Sequence, residues 1–204
     1  MTMLRTTSAG LGLVLLATLP AVAAQAGSVS DSALFGKDPG DTRAFACFTR
    51  HYDDAHLKGH PKQNVTDMSL LVDSTYDYSS DPASRYYVLG IQVNFRKVDK
   101  PFDVSGSCSN SDQNDQLLNC GVDCDGGQID VRLKDANSIL VDIPDGARIY
   151  DPSNIDPEGE DDGLDPKAHF GPDDKTFLLA RTSLKTCLEL LPPQDKDMIL
   201  AFTK

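Results

Sequence analysis

From Tyr86 to Val98 the chain places apolar residues at odd positions, Tyr87, Leu89, Ile91, Val93 and Phe95, with Gln92, Asn94 and Arg96 between them. A period of two sends successive side chains to opposite faces, so this run is a strand with one buried and one wet face. The pattern recurs along the chain. Met68, Leu70 and Val72 alternate with Asp67, Ser69 and Asp73 around an extra apolar Leu71. Phe102, Val104 and Cys108 follow the turn at Asp99-Lys100-Pro101. Ile129, Val131 and Leu133 precede Asp135-Ala136-Asn137, and Ile139, Val141 and Ile143 follow it. Pro144-Asp145-Gly146 reads as a turn, with short strands at Ala147–Tyr150 and Phe177–Arg181. Strands this close together, with turns and no helices between them, pair antiparallel in a meander. Burying their apolar faces and hiding their edges requires a mainly β fold, closed into a barrel or folded as a sandwich.

One or two short helices complete the expectation. Asp53 or Asp54 caps a helical turn through Leu57 that Gly59 and Pro61 end. Leu184, Cys187, Leu188 and Leu191 recur at helical spacing behind Ser183, up to Pro192-Pro193. Phe45 to Tyr52 fits either helix or strand, and Met198–Phe202 reads as an edge strand. Residues 27–43 carry Ser, Gly and Asp without an apolar period and read as a flexible lead-in. Residues 44–204 then form one β-rich domain, in keeping with a 204-residue chain. Its interruption at 151–174 holds nine acidic residues among prolines and glycines and reads as a solvated, mobile loop.

The first 26 residues read as a secretory signal. Arg5 precedes the apolar run Leu11–Leu19, and Ala24-Gln25-Ala26 suits cleavage. That run is too short to span a bilayer, and no later segment is long enough. The expected address is periplasmic or secreted. Cleavage removes one arginine and no acid, taking the net charge from −12 to −13. This acidity excludes unaided binding to nucleic acid, which needs a basic footprint.

Export turns the five cysteines into disulfide candidates. Cys120-Gly-Val-Asp-Cys124 has one residue too many for a thioredoxin-type motif and lacks the second pair of a zinc site. Polar turn formers between Cys108 and Cys120 let their strands pair as a hairpin, so Cys108 is expected to bond Cys120 or Cys124. Cys47 and Cys187 form the second candidate pair.

Chemistry has few footholds. His51, Asp53, Asp54, His56 and His60 are metal-capable side chains, and His56 and His60 stand at i, i+4. Gly59 and Pro61 weaken a helix there, and no glutamate holds the place of a zinc hydrolase's base. Asp123 and Asp125 are further candidate ligands beside Gly126-Gly127, so calcium or zinc is the cofactor to consider, with none as the leading expectation. An EF-hand template begun at Asp156 fails, with Asp161 at position six and Lys167 at position twelve. No nucleophile elbow or phosphate-cradling loop occurs. His60-Pro-Lys-Gln-Asn-Val-Thr66 and Leu118-Asn-Cys-Gly-Val-Asp-Cys-Asp-Gly-Gly127 each lead into a strand. Across Cys47 to Ile143 the chain resembles uncharacterised small exported proteins of alphaproteobacteria. That resemblance implies a periplasmic address and a compact β fold, and no activity. The leading expectation is a non-enzymatic binding or envelope-associated module. The alternatives are a metal-dependent enzyme using His51–His60, in which His169 or Asp125 would join the cluster, and an inhibitor or adaptor offering the acidic loop to a basic protein partner.

Overall fold

A computed structural model describes residues 27–79, 84–110, 116–122, 125–153 and 165–202. The strands are β1 (Ala44–His51), β2 (Val65–Asp77), β3 (Ser84–Phe95), β4 (Phe102–Asn110), β5 (Gln116–Val122), β6 (Gln128–Asp135), β7 (Ser138–Asp142) and β8 (Thr176–Thr182). They close into a barrel in chain order, each antiparallel to its neighbours, with β8 returning to β1. Barrel rather than sandwich is therefore the form the alternating strands take. Three helices accompany them: α1 (Gly27–Phe35), α2 (Asp54–Gly59) and α3 (Pro193–Phe202), with a 3-10 helix at Leu184–Leu190.

The alternating positions are the core. Tyr87, Leu89, Ile91, Val93 and Phe95 of β3 meet Phe102, Val104 and Cys108 of β4 inside the barrel, because the register pairs Ile91 with Val104 and Tyr87 with Cys108. At Gly106 a Cβ would sit 2.7 Å from the Gly121 carbonyl oxygen, so that close approach of β4 and β5 excludes any side chain. Leu71 points the other way. It lies under the 3-10 helix and α3 with Cys47, Cys187, Leu191 and Ile199 in a second apolar cluster outside the barrel wall.

Both barrel ends are closed. At the end where β1 begins, Leu34 of α1 is 1% exposed and belongs to the barrel core. Arg181 donates to the carbonyls of Ala33 and Leu34 at 2.8 and 2.9 Å, and the Tyr87 hydroxyl donates to Asp31 at 2.5 Å. The expected flexible lead-in is corrected over 27–35, where Leu34, with Phe35 packed against the core, and a cation at the helix C-terminus hold the helix without any periodicity. At the other end Phe170 packs edge-on against Phe95 and Phe177, with ring centroids 5.6 and 6.4 Å away, and Ala168 is buried beside it. Asn64 Nδ2 donates to the carbonyls of Lys167 and His169, while the fully buried Asp174 accepts from the backbone N–H groups of Asn64, Val65 and Gly171. The described arm of the acidic interruption, 165–174, is therefore packed rather than solvated. Residues 154–164 and the expected signal segment 1–26 lie outside the described residues.

Two disulfides are present among the described residues. Cys108 and Cys120 face each other across β4 and β5 with Cα atoms 4.0 Å apart, and Cys47 and Cys187 join β1 to the 3-10 helix at 6.0 Å. Cys124 is not among the described residues. Two strand expectations fail. Met198–Phe202 is helical, since Pro193 suits a first helical turn and a closed barrel leaves no edge to join. Ala147–Tyr150 is no strand, and Tyr150 instead makes an isolated bridge to Asp103 just beyond the end of β5. Phe45–Tyr52 resolves as β1, and the Asp53 cap forms as expected, its carboxylate accepting from the His56 N–H at 2.7 Å. None of the described helices is long and apolar enough to cross a membrane.

Candidate functional site

Strand direction decides which loops meet. The ends of β1, β3, β5 and β7 gather α2, the 96–101 turn, residues 125–127 and the described stretches 143–153 and 165–175 at one end of the barrel. The histidines expected to bind metal lie here without converging. His51 is exposed, and its Nδ1 is paired with Asp67 Oδ1 at 2.6 Å, which holds its pKa above the ordinary 6.5. His56 Nε2 bonds Gln63 Oε1 at 3.0 Å, and its ring lies between Tyr52 and His60 at centroid distances of 4.6 and 4.4 Å. Asp53 is committed to the α2 cap. Among the described residues no three His, Cys, Asp or Glu side chains come together as a metal would require.

Asp125 sits apart from the histidines of α2, with a positive φ of 56°. It lines a cleft of about 590 Å³ with Asp145, Arg148, His169 and Phe170. Asp125 and His169 thus share a recess, but His51, His56 and His60 do not reach it. His169 Nδ1 is 3.0 Å from the Pro166 carbonyl oxygen. Asp123 is outside the described residues.

A second recess, of about 490 Å³, lies on the outer wall over β3 and β4. Val88 and Gly90 of β3, with Asp103 and Ser105 of β4, contribute outward positions that form its floor. Leu190, Leu191 and Pro192 border it on one side, and Tyr150 and Pro152 on the other. Asp103 has outward parity and would ordinarily be wet. It is only 7% exposed because Tyr150 pairs with its backbone, N to O at 2.9 Å in both directions, where β5 no longer covers β4. Its carboxylate accepts from Gln92 Nε2 at 3.2 Å. Burial pushes its pKa above the ordinary carboxylate value, and nearby Asp151 adds to the shift. Asp151 itself is neutralised by Lys100 and Ser153, which hold it down at about 2. Burial likewise raises the Tyr150 phenol, with Asp103 contributing.

Sequence reasoning missed Asp103. Its alternation marks it as a solvent-facing strand residue, and the cover that buries it comes from a distant bridge that no local pattern announces. The fold and site define an eight-stranded, disulfide-bonded barrel with a filled interior and recesses on its outside. Comparison with protein-family models, curated proteins and solved structures returned no match.

Proposed function

We propose that the protein is an exported, non-enzymatic binding module that meets its ligand on the outside of the barrel. The observation that carries this reading is the closed interior. Among the described residues side chains fill it, with Leu34 at one end and Phe170 at the other, and the two recesses described above open on the outer surface. Barrels that carry a small ligand keep an open mouth and an internal cavity, and this one follows a different plan. The polarity of the wall supports work in water. Outward positions of β4 and β6 carry Asp103, Ser105, Ser107, Asp130 and Arg132, the reverse of the apolar outer band of a membrane barrel.

Export is supported by the Arg5–Ala26 signal pattern and by two disulfides of the kind that persist in oxidising compartments. Binding rather than catalysis is supported by the state of His51, His56 and His60, which are engaged by Asp67, by Gln63 and by one another's rings. The test is purification of the full chain, expressed with its own N-terminus, from a periplasmic fraction. The expected protein is processed near Gly27, has Cys47–Cys187 and Cys108–Cys120 linked, and retains a ligand or partner at low salt that high salt releases. Retention in the cytoplasm with free thiols overturns the export half. Substrate turnover that the triple substitution His51→Ala, His56→Ala, His60→Ala abolishes overturns the binding half.

A further inference from the structure

The groove over β3 and β4 contains a charge without a counter-charge. Asp103 is more than nine-tenths buried, yet among the described residues Gln92 is the only group that donates to its carboxylate, and no Lys, Arg or His pairs with it. Its charged neighbour, Asp151, is an anion whose own needs Lys100 and Ser153 meet. A carboxylate held out of water with one neutral donor is costly in a folded protein. Such a group marks a place where a ligand supplies the missing partner.

The surroundings define that partner. Of the charged side chains lining the groove, Asp73, Asp103, Glu189 and Asp195 are acidic and Arg43 is the basic one. Arg43 is consumed by Asp73 and Asp195, at 2.5 and 2.8 Å. Glu189 is paired with Lys196 at 2.9 Å, which leaves Asp103 as the acid without a counter-charge, and between it and these pairs the walls are apolar. Val88 is 37% exposed on the floor, and Leu190 packs over Gly90, where a Cβ would meet its side chain at 3.8 Å, so that side of the groove is walled by Leu190. Tyr150, 40% exposed, offers a ring beside Asp103 on which a cation can rest. A recess of this size holds a small molecule or a single long side chain. An anion would meet Asp103, and a neutral polar ligand would leave its charge unanswered. An apolar ligand would seal that charge away from water altogether.

We propose that this groove binds an organic cation, an ammonium or guanidinium on an alkyl stem, with the charged head on Asp103 and the stem along the exposed Val88 and the wall that Leu190 forms. The inference rests on the outer-surface binding reading above and gives that surface a ligand class. Free alkylamines and the lysine or arginine side chains of a protein partner share this chemistry. The head gains a charge-assisted hydrogen bond to a carboxylate that already sits in a medium of low polarity, where such bonds are strong. The stem displaces water from the apolar walls.

The test is NMR titration of the purified, disulfide-intact protein with 1,5-diaminopentane, with the capped tripeptide acetyl-Gly-Lys-Gly-amide, and with pentanoate as the isosteric anion. The expected result is saturable shifts of the Val88, Gly90, Asp103 and Ser105 amides with at least one amine, and none with pentanoate. Asp103→Asn should weaken binding about tenfold or more, the loss of one hydrogen bond to a charged group, while its melting temperature is no lower than that of the parent. A second variant, Val88→Trp, covers the floor from an exposed position and should abolish the remaining shifts with Asp103 intact. Binding of the diamine alone assigns the groove to free amines. Binding of the tripeptide assigns it to a cationic side chain of a partner. Equal binding by Asp103→Asn, equal shifts from pentanoate, or no shift with either amine overturns the site. None of these results touches the outer-surface reading, which falls on turnover by the histidine cluster.

Discussion

At the scale of single residues, Asp103 and Asp151 show how one strap of chain sets two carboxylates in opposite directions. Both are largely covered, but Asp151 is met by the Lys100 ammonium and by the N–H and hydroxyl of Ser153, and it titrates at about 2. Asp103 has Gln92 alone, and burial wins. The two therefore contribute to stability with opposite pH dependence. A carboxylate whose folded pKa lies below its ordinary 3.8 binds fewer protons folded than unfolded, so its contribution is present above that value and is lost as the pH falls toward 2. Asp103, shifted upward, withdraws stability as the pH rises above its ordinary value. The Lys100→Met variant should consequently lose less stability than the parent between about pH 4 and pH 2, because Asp151 then titrates closer to its unfolded value. Urea unfolding at several acid pH values measures this. Parallel curves for the two proteins would show that Lys100 does not govern Asp151.

Among the elements, α1 carries the largest difference between sequence and structure. Among the described side chains of α1, Leu34 is buried and Phe35 packs against the core, and the helix is held by Asp31 under Tyr87 and Arg85 and by Arg181 at its last carbonyls. Leu34→Ala should cost about 2–4 kcal/mol, the transfer of a buried leucine plus the void it leaves in the barrel end. Urea unfolding reads the loss, and a change within about 0.5 kcal/mol would return residues 27–35 to the status of a lead-in. The contrast with β3 shows what a sequence can display. Tyr87 to Phe95 carries its own period, so its buried face is written in consecutive residues. Leu34 and Phe170 act singly, as stoppers whose partners lie on strands far along the chain, and no window of sequence contains both halves of such a contact. The disulfide partners of Cys108 could be narrowed to Cys120 or Cys124 because a hairpin is local. Asp103 was invisible for the reason that hid Leu34. Its burial depends on Tyr150, which the sequence presented as part of another strand.

For the whole molecule, the closing of the barrel sets its weakest line. Every pairing but one joins strands that are neighbours in sequence, and the β2–β3 ladder keeps one register from Asp67–Asn94 to Asp77–Ser84, with a single shift between Val65 and Asp67. The exception, β1 with β8, pairs only Cys47–Thr182, Phe48–Arg181 and Thr49–Ala180, and it must bring together the two ends of the domain. Closing so long a loop is entropically costly and comes late in assembly. The Cys47–Cys187 bond spans 140 residues and lies at this seam, fixing the 3-10 helix over β1 just after β8 ends. In the chain-entropy account a link of that span stabilises by about 5 kcal/mol, against about 3 kcal/mol for the short Cys108–Cys120 loop. The double variant Cys47→Ala, Cys187→Ala should therefore lose more stability than Cys108→Ala, Cys120→Ala. It should also lose it unevenly. Native-state hydrogen exchange is expected to accelerate first in β1 and β8, while amides of the β2–β3 ladder keep their protection until global unfolding. The Cys108–Cys120 variant lacks that gradient because its link lies within a hairpin that the chain forms locally. Uniform acceleration across all eight strands in the seam variant would show that the barrel opens only as a unit, and that the seam is no weaker than the ladders beside it.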